Sequence, residues 1–345
     1  MEYMIDLMSD AIVEPKDYPH TALLPEKCAK INQQPLKWQN KHSLVYLDFL
    51  HLPVGSDGQN EAGLSVGALL FPGFAKYQDV PLDRCGVDSR ELQDSPRIAK
   101  SFEEGFIPSG VEQILKKDDH EYSIELHYSI TDKSGDGIII EFTDQGRKVH
   151  ENTIGVMTNS PPYDFHMLNL RNYVHLSKYA HDPLVLGKDQ FDPTGQGSGL
   201  LGTPGDLTPP SRLVRVATLV HFADPVQTSQ EAVNLVFHIM NSVDIPRGVA
   251  ASHDHADNTD YTEWVVAKDL TNKVLYFRVY EDLTIRAIHL DKVMPGKKLT
   301  LKVGNLLVDL WTSQMSFNPL PHTLNFKELS VWTPTVTLVT RVNLA

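Results

Sequence analysis

Cysteine is nearly absent from this chain: Cys28 and Cys85 are the only two in 345 residues. Two are too few for a disulfide framework, and their spacing excludes a CxxC motif. Basic charge is also scarce. The chain carries 31 Lys and Arg against 44 Asp and Glu, a formal charge of -13, with no Lys/Arg block. Nucleic-acid binding rests on neutralising phosphates, so this balance argues against it, and it argues equally against an anionic membrane surface. No apolar run approaches the roughly 20 residues needed to cross a bilayer. The opening residues 1–18 lack the basic and apolar regions of a secretory leader. A leader upstream of Met1 stays open, so cytoplasmic and periplasmic locations are both compatible.

The chain does contain abundant strand signal. Leu36 to Leu50, Glu121 to Ile130 and Gly137 to Asp144 are β-branched or alternating runs bounded by turn residues. Lys133-Ser134-Gly135-Asp136-Gly137 predicts a hairpin turn, since its residues tolerate positive φ. Trp264–Val266 and Val274–Tyr280 flank Thr271-Asn272-Lys273 as a second hairpin, with Ile285 to Leu290 as a third strand. The C-terminal LSVWTPTVTLVTRVNL is strand-like again.

Helices are fewer. Thr228 and Glu231 have capping-box spacing. Ala232, Leu235, Val236, Ile239, Met240 and Val243 then form one apolar face, ended by Pro246. A second helix is predicted from about Ser211, and a third within Pro96 to Lys117. Strands in blocks with helices between the blocks predict an α+β fold of antiparallel sheets covered by helices. With no repeat and no composition break, residues 1–345 read as a single domain. His181 to Pro210 is long, rich in Gly, Pro and Asp, and without periodicity, which predicts a structureless loop used for function or for contact with a partner.

Several side chains could carry chemistry. Asn159, in Met157-Thr158-Asn159-Ser160-Pro161, is either a turn residue or a fixed amide donor aimed at a developing oxyanion. Arg212 opens the second predicted helix after Pro209-Pro210-Ser211 and is either a surface cation or a group that stabilises negative charge. His166 could be proposed as a general base, a role that a nucleophile at a chain's own N-terminus does not need, since its α-amine can take the proton. His253-Asp254-His255 with Asp257 lacks a distant third ligand and predicts no metal site.

The ordered set of TNSP followed by NLRNY, GQGSGLLGTPGDLTPPSR, and Asp57-Gly58-Gln59-Asn60-Glu61-Ala62-Gly63-Leu64 resembles the choloylglycine hydrolase and penicillin V acylase family. The resemblance runs from Met1 to the strands near Arg286. It implies a four-layer αββα fold of two antiparallel sheets between helices, the N-terminal-nucleophile hydrolase sandwich. It implies hydrolysis of a non-peptide amide through an acyl-cysteine thioester, with no metal or organic cofactor. Asn159 would donate to the oxyanion, Arg212 would lie by the nucleophile, and Glu2, where the family has Asp, would help position it. The backbone N–H of Leu70 would complete the oxyanion hole, since a leucine side chain cannot donate. Residues 181–210 would project and help build a homotetramer.

Members of that family begin with the nucleophilic Cys, whereas this chain begins Met-Glu-Tyr-Met. Two strands of about 5–6 residues and a turn would separate the family's Cys from the position of Met1. The nucleophile and the arginine expected before Met1 are thus expected upstream, and the chain as written is expected to be inactive, with an exposed sheet edge. The alternative is a truncated paralogue that keeps the scaffold for binding or assembly.

Overall fold

The computed structural model describes residues 10–21, 37–49, 52–76, 114–117, 120–123, 125–252, 255–292, 298–302, 328–333 and 336–341. Two antiparallel sheets dominate. Along the chain their strands are β1 (Asp10–Glu14), β2 (Leu44–Phe49), β3 (Leu52–Asn60), β4 (Leu64–Leu70), β5 (Leu126–Asp132), β6 (Gly137–Thr143), β7 (Gly146–Glu151) and β8 (Val156–Thr158). After three helices come β9 (Trp264–Asp269), β10 (Val274–Val279), β11 (Asp282–His289), β12 (Leu299–Lys302), β13 (Glu328–Thr333) and β14 (Val336–Arg341). The larger sheet has eight strands in the order β7-β6-β5-β4-β3-β2-β1-β12, and the smaller has six in the order β8-β14-β13-β9-β10-β11.

The C-terminal hairpin lies between β8 and β9, with Thr158 opposite Val336 and Ala267 opposite Val331, so the ladder between them is continuous.

Three buried apolar clusters define the layers. Ala11, Val13, Val45, Leu47, Leu69 and Ile139 of the larger sheet meet Val266, Leu275, Phe277 and Ile288 of the smaller one between the sheets. Ile12, Tyr46, Val66, Tyr128 and Ile130 form the opposite, also buried, face of the larger sheet. With both faces covered, β4 shows no apolar/polar alternation in burial, as expected of a strand with no solvent side. The outer face of the smaller sheet carries the helical layer, where Leu213, Val216, Val236, Phe237 and Met240 pack on Val265, Ala267 and Tyr276.

The helices are α1 (Tyr163–Asn169), α2 (Pro209–Phe222) and α3 (Ser229–Asn241). The capping box of α3 is complete: Glu231 N–H donates to Thr228 Oγ1 at 3.2 Å, and Thr228 N–H donates to Glu231 Oε2 at 3.1 Å. Pro209 and Pro210 open α2, where a missing N–H leaves no intrahelical bond unmade. The helix predicted within Pro96 to Lys117 lies mostly outside the described residues. At its end the structure corrects it: Ile114–Lys117 is a strand paired with His120–Ser123. The Leu36 to Leu50 run likewise divides into Lys37–Gln39 and β2, because Asn40 to Ser43 turn the chain.

Residues 181–210 are not structureless. Leu184–Leu186 pairs with Asp189–Phe191 as a short hairpin, its apolar side chains more than half exposed. The base of this arm is pinned backbone to backbone, Ser177 N–H donating to Gly199 O at 2.9 Å. A Cβ at Gly199 would stand 2.0 Å from the Tyr179 carbonyl oxygen, so only glycine fits there.

Candidate active site

The TNSP segment leaves β8 at the edge of the smaller sheet and meets the end of β4 in the larger one. Ser160 N–H donates to Leu70 O at 3.2 Å. Phe71 N–H donates to Glu125 O at 2.7 Å, so Leu70 and Leu126 face each other as a non-hydrogen-bonded pair. In an extended strand a residue's N–H and C=O leave on the same side. The Leu70 N–H therefore points away from β5, toward the side where Asn159 and Ser160 lie. The Leu70 side chain is 47 % exposed at this lip.

Asn159 is buried and held at both ends. Its side-chain Oδ1 accepts from Arg212 Nη2 at 2.8 Å. A guanidinium has no acceptor, so this bond fixes the amide orientation and leaves the N–H2 group as the donating end. The main-chain oxygen of Asn159 lies 3.1 Å from His166 Nε2. Burial brings the His166 pKa down to about 4, so the ring is neutral near pH 7 and donates from Nε2. His166 is therefore an anchor for the Asn159 backbone.

Arg212 lies in the first turn of α2 and is 4 % exposed. Its Nη1 donates to the Leu207 carbonyl and its Nη2 to Asn159, both neutral oxygens. Burial lowers its pKa to about 10, opposed by the charge of Asp260, and it remains a cation at neutral pH. The elbow that aims it is organised by Asp206. That carboxylate accepts from Thr208 N–H at 3.0 Å and from Ser211 Oγ at 2.6 Å. Hydrogen bonds from Ser211 and Thr208 hold the Asp206 pKa down to about 2. Arg215, one turn further, ties the same elbow through Pro204 O at 2.8 Å.

Of the four residues singled out from the sequence, the structure thus brings Asn159, Arg212 and the Leu70 backbone together. Glu2, like both cysteines and His253, lies outside the described residues. The sequence reading missed Asp206, although its position two residues before Thr208 is that of an Asx turn. It also missed the buried His127–Glu141 pair behind the TNSP segment, since a His and a Glu on neighbouring strands carry no spacing signal.

The Asp57–Leu64 motif is mainly architectural. Asp57 is fully buried in β3 and pairs with the equally buried Lys268 of β9, joining the two sheets. The turn itself begins at Asn60, whose Oδ1 accepts from Ala62 and Leu64 N–H at 3.0 Å each. Gly63 takes a φ of +88°, which favours glycine.

Two antiparallel sheets packed face to face, with helices outside and a buried amide and arginine at one end, define an α+β hydrolase of the N-terminal-nucleophile sandwich class. Residues 1–294 match the family model for linear amide C–N hydrolases of the choloylglycine hydrolase family, and the chain belongs to that family. It is 32 % identical over 254 residues to a bile salt hydrolase/transferase of Clostridium perfringens, covering 70 % of this chain and 74 % of that one. It is 34 % identical over 251 residues to the bile salt hydrolase/transferase of Bifidobacterium longum, covering 68 % and 74 %. Among solved structures, a variant of conjugated bile acid hydrolase from Clostridium perfringens superposes with a TM-score of 0.66 at 26 % identity, over 85 % of this chain and 89 % of that one. Penicillin V acylase from Agrobacterium tumefaciens shares the fold, with a TM-score of 0.63 at 20 % identity over 88 % and 86 %.

Proposed function

We propose that this protein hydrolyses a non-peptide amide, of the bile-salt-conjugate, penicillin V or N-acyl homoserine lactone type, through an acyl-cysteine thioester. The thiol is that of a cysteine N-terminal to Met1. The observation that carries the reading is the Asn159 amide, fixed by Arg212 at 2.8 Å and tied through Ser160 to the Leu70 backbone. Two N–H donors from different strands can then converge on one oxygen.

In the reaction the thiolate attacks the amide carbonyl, and the C=O π electrons move to oxygen, where the Asn159 Nδ2–H and the Leu70 N–H donate to the oxyanion. Collapse breaks the C–N bond. The amine leaves with a proton from the nucleophile's own α-ammonium, whose reference pKa of about 7.7–8.0 suits both proton uptake and release. Water then attacks the thioester over the same donors and releases the acid and the thiol. Arg212 supplies positive potential that favours thiolate over thiol, and Glu2 orients the nucleophile's amine. This chemistry needs no metal or organic cofactor.

The arm at 181–210 fits assembly into a homotetramer. Leu184, Val185, Leu186, Phe191 and Leu201 are each more than half exposed, an apolar patch suited to burial against another copy. A protein that is monomeric by light scattering before any deletion in the arm would remove this part.

The test of the catalytic reading uses the protein as its cell processes it. Incubation with glycine- and taurine-conjugated bile salts, penicillin V and an N-acyl homoserine lactone should release amine from at least one. Acid quenching should trap one acyl group per chain, labile to hydroxylamine, on an N-terminal cysteine by intact and peptide mass. Turnover with the acyl group on any other residue, or no turnover of any amide, would overturn it.

A further inference from the structure

Behind the TNSP segment lies a buried polar pair with no place in the mechanism above. Glu141 of β6 and His127 of β5 are both 0 % exposed, on the face of the larger sheet that meets the smaller one. Glu141 Oε1 accepts from the Tyr163 N–H, at the start of α1, at 2.8 Å, and lies 3.4 Å from His127 Nδ1. Its Oε2 is 3.3 Å from His150 Nε2, off the hydrogen-bond direction, and His150 Nδ1 is 3.5 Å from Asp164 Oδ1. Burial alone would raise the Glu141 pKa, yet the hydrogen bonds from His127 and Tyr163 hold it below the ordinary carboxylate range. Burial pushes the His127 pKa down. The pair is thus a carboxylate and a neutral imidazole whose Nδ1–H donates to it, which fixes the tautomer and the ring plane.

That fixed ring touches both sides of the site. One face stacks on Phe71, with ring centroids 4.3 Å apart and 16° between planes. Phe71 follows Leu70. The ring also interacts with the main chain of Thr158, which precedes Asn159. Glu141, through Tyr163, holds the start of α1, the helix that delivers His166 to the Asn159 carbonyl.

We propose that His127, held in orientation by Glu141, is a positioning residue that sets the spacing between the Leu70 N–H and the Asn159 amide. The proposal rests on the reading of those two groups as the oxyanion donors. A misplacement of an ångström at such a site costs up to about 10²-fold in rate. A shift of part of that distance should cost less and should fall on kcat, because the donors act on charge that develops in the transition state.

The experiment compares the full-length protein with its His127→Phe, His127→Asn and Glu141→Gln variants, with Asn159→Ala alongside. His127→Phe keeps a ring against Phe71 and loses the donor. Its kcat should fall about tenfold with KM within about twofold. His127→Asn, which restores a donor near Nδ1, should recover part of the loss, a rescue that a purely structural role would not give. Amide hydrogen exchange at Ser160, whose N–H bonds Leu70 O, should quicken in His127→Phe while α3 keeps its protection. Should His127→Phe fail to fold, the near-isosteric Glu141→Gln should show the same Ser160 effect at smaller size. Parental kcat with parental Ser160 exchange in the folded variants would overturn the proposal, as would a fall in kcat that His127→Asn does not relieve. If Asn159→Ala leaves turnover intact while His127→Phe loosens Ser160, the oxyanion reading fails and the positioning of the segment stands.

Discussion

Lys268 and Arg212 are both buried cations, and they are held in opposite ways. Lys268 lies between the sheets against the carboxylate of Asp57, each side chain fully enclosed. Arg212 lies at the end of the sheets and donates to the Leu207 carbonyl and the Asn159 amide oxygen. A charge cancelled by a carboxylate in place has little field to offer anything else. Arg212 donates to two neutral oxygens and is only partly offset by the carboxylates of Asp260 and Asp206, so it keeps more of its positive potential for an anion arriving nearby. The first arrangement is suited to holding two layers in register, the second to the anion-stabilising role proposed for Arg212.

The sharpest way to break this contrast is to remove each cation in turn. Lys268→Met leaves Asp57 buried without its partner, which should cost about 3–5 kcal/mol in denaturant unfolding. Replacing both members, Lys268→Met with Asp57→Leu, should restore most of that stability, while amide hydrolysis per folded molecule stays at the parental level. Loss of turnover in a folded double variant would show that the pair serves the site. Arg212→Met should do the reverse. Turnover should fall by about 10²-fold, the size seen when one oxyanion donor is lost, because Asn159 loses the bond that orients it. A drop confined to thermal stability would place Arg212 with Lys268.

How far the sequence revealed this site follows from the same distinction. Asn159 and Arg212 were legible because each sits in a contiguous motif, and so was the Thr228–Glu231 capping box, where three residues of spacing carry the geometry. Asp57 was legible only as part of a motif, and its partner 211 residues away was not. The His127–Glu141 pair is set by the register of β5 and β6, which no local pattern specifies. The division of Leu36 to Leu50 into two strands and the hairpin within residues 181–210 were missed for a related reason: propensity marks where strand is favoured and leaves unsaid where the chain must turn.

A smaller effect comes from His166. Its native pKa of about 4 lies below the ordinary value of 6.5. As pH falls through that window the unfolded chain takes up a proton that native His166 refuses, so stability is lost between about pH 6.5 and 4. The loss should be about 3 kcal/mol, and His166→Asn should flatten the profile of melting temperature against pH. An unchanged profile would mean that His166 is protonated in the native protein and does not anchor Asn159 as a neutral donor. The smallest effect is expected far from the site. Thr228→Ala removes the α3 cap and should cost about 1 kcal/mol with turnover untouched, which separates helix-layer stability from site geometry.

The most direct test of the site is Asn159→Ala in the full-length protein, with kcat, KM and unfolding free energy measured together. The expected result is a fall in kcat of about 10²-fold or more, with KM and stability close to parental values. Near-parental kcat in a folded Asn159→Ala protein would contradict it, and the Asn159–Arg212 bond would then be a structural contact like that between Asp57 and Lys268.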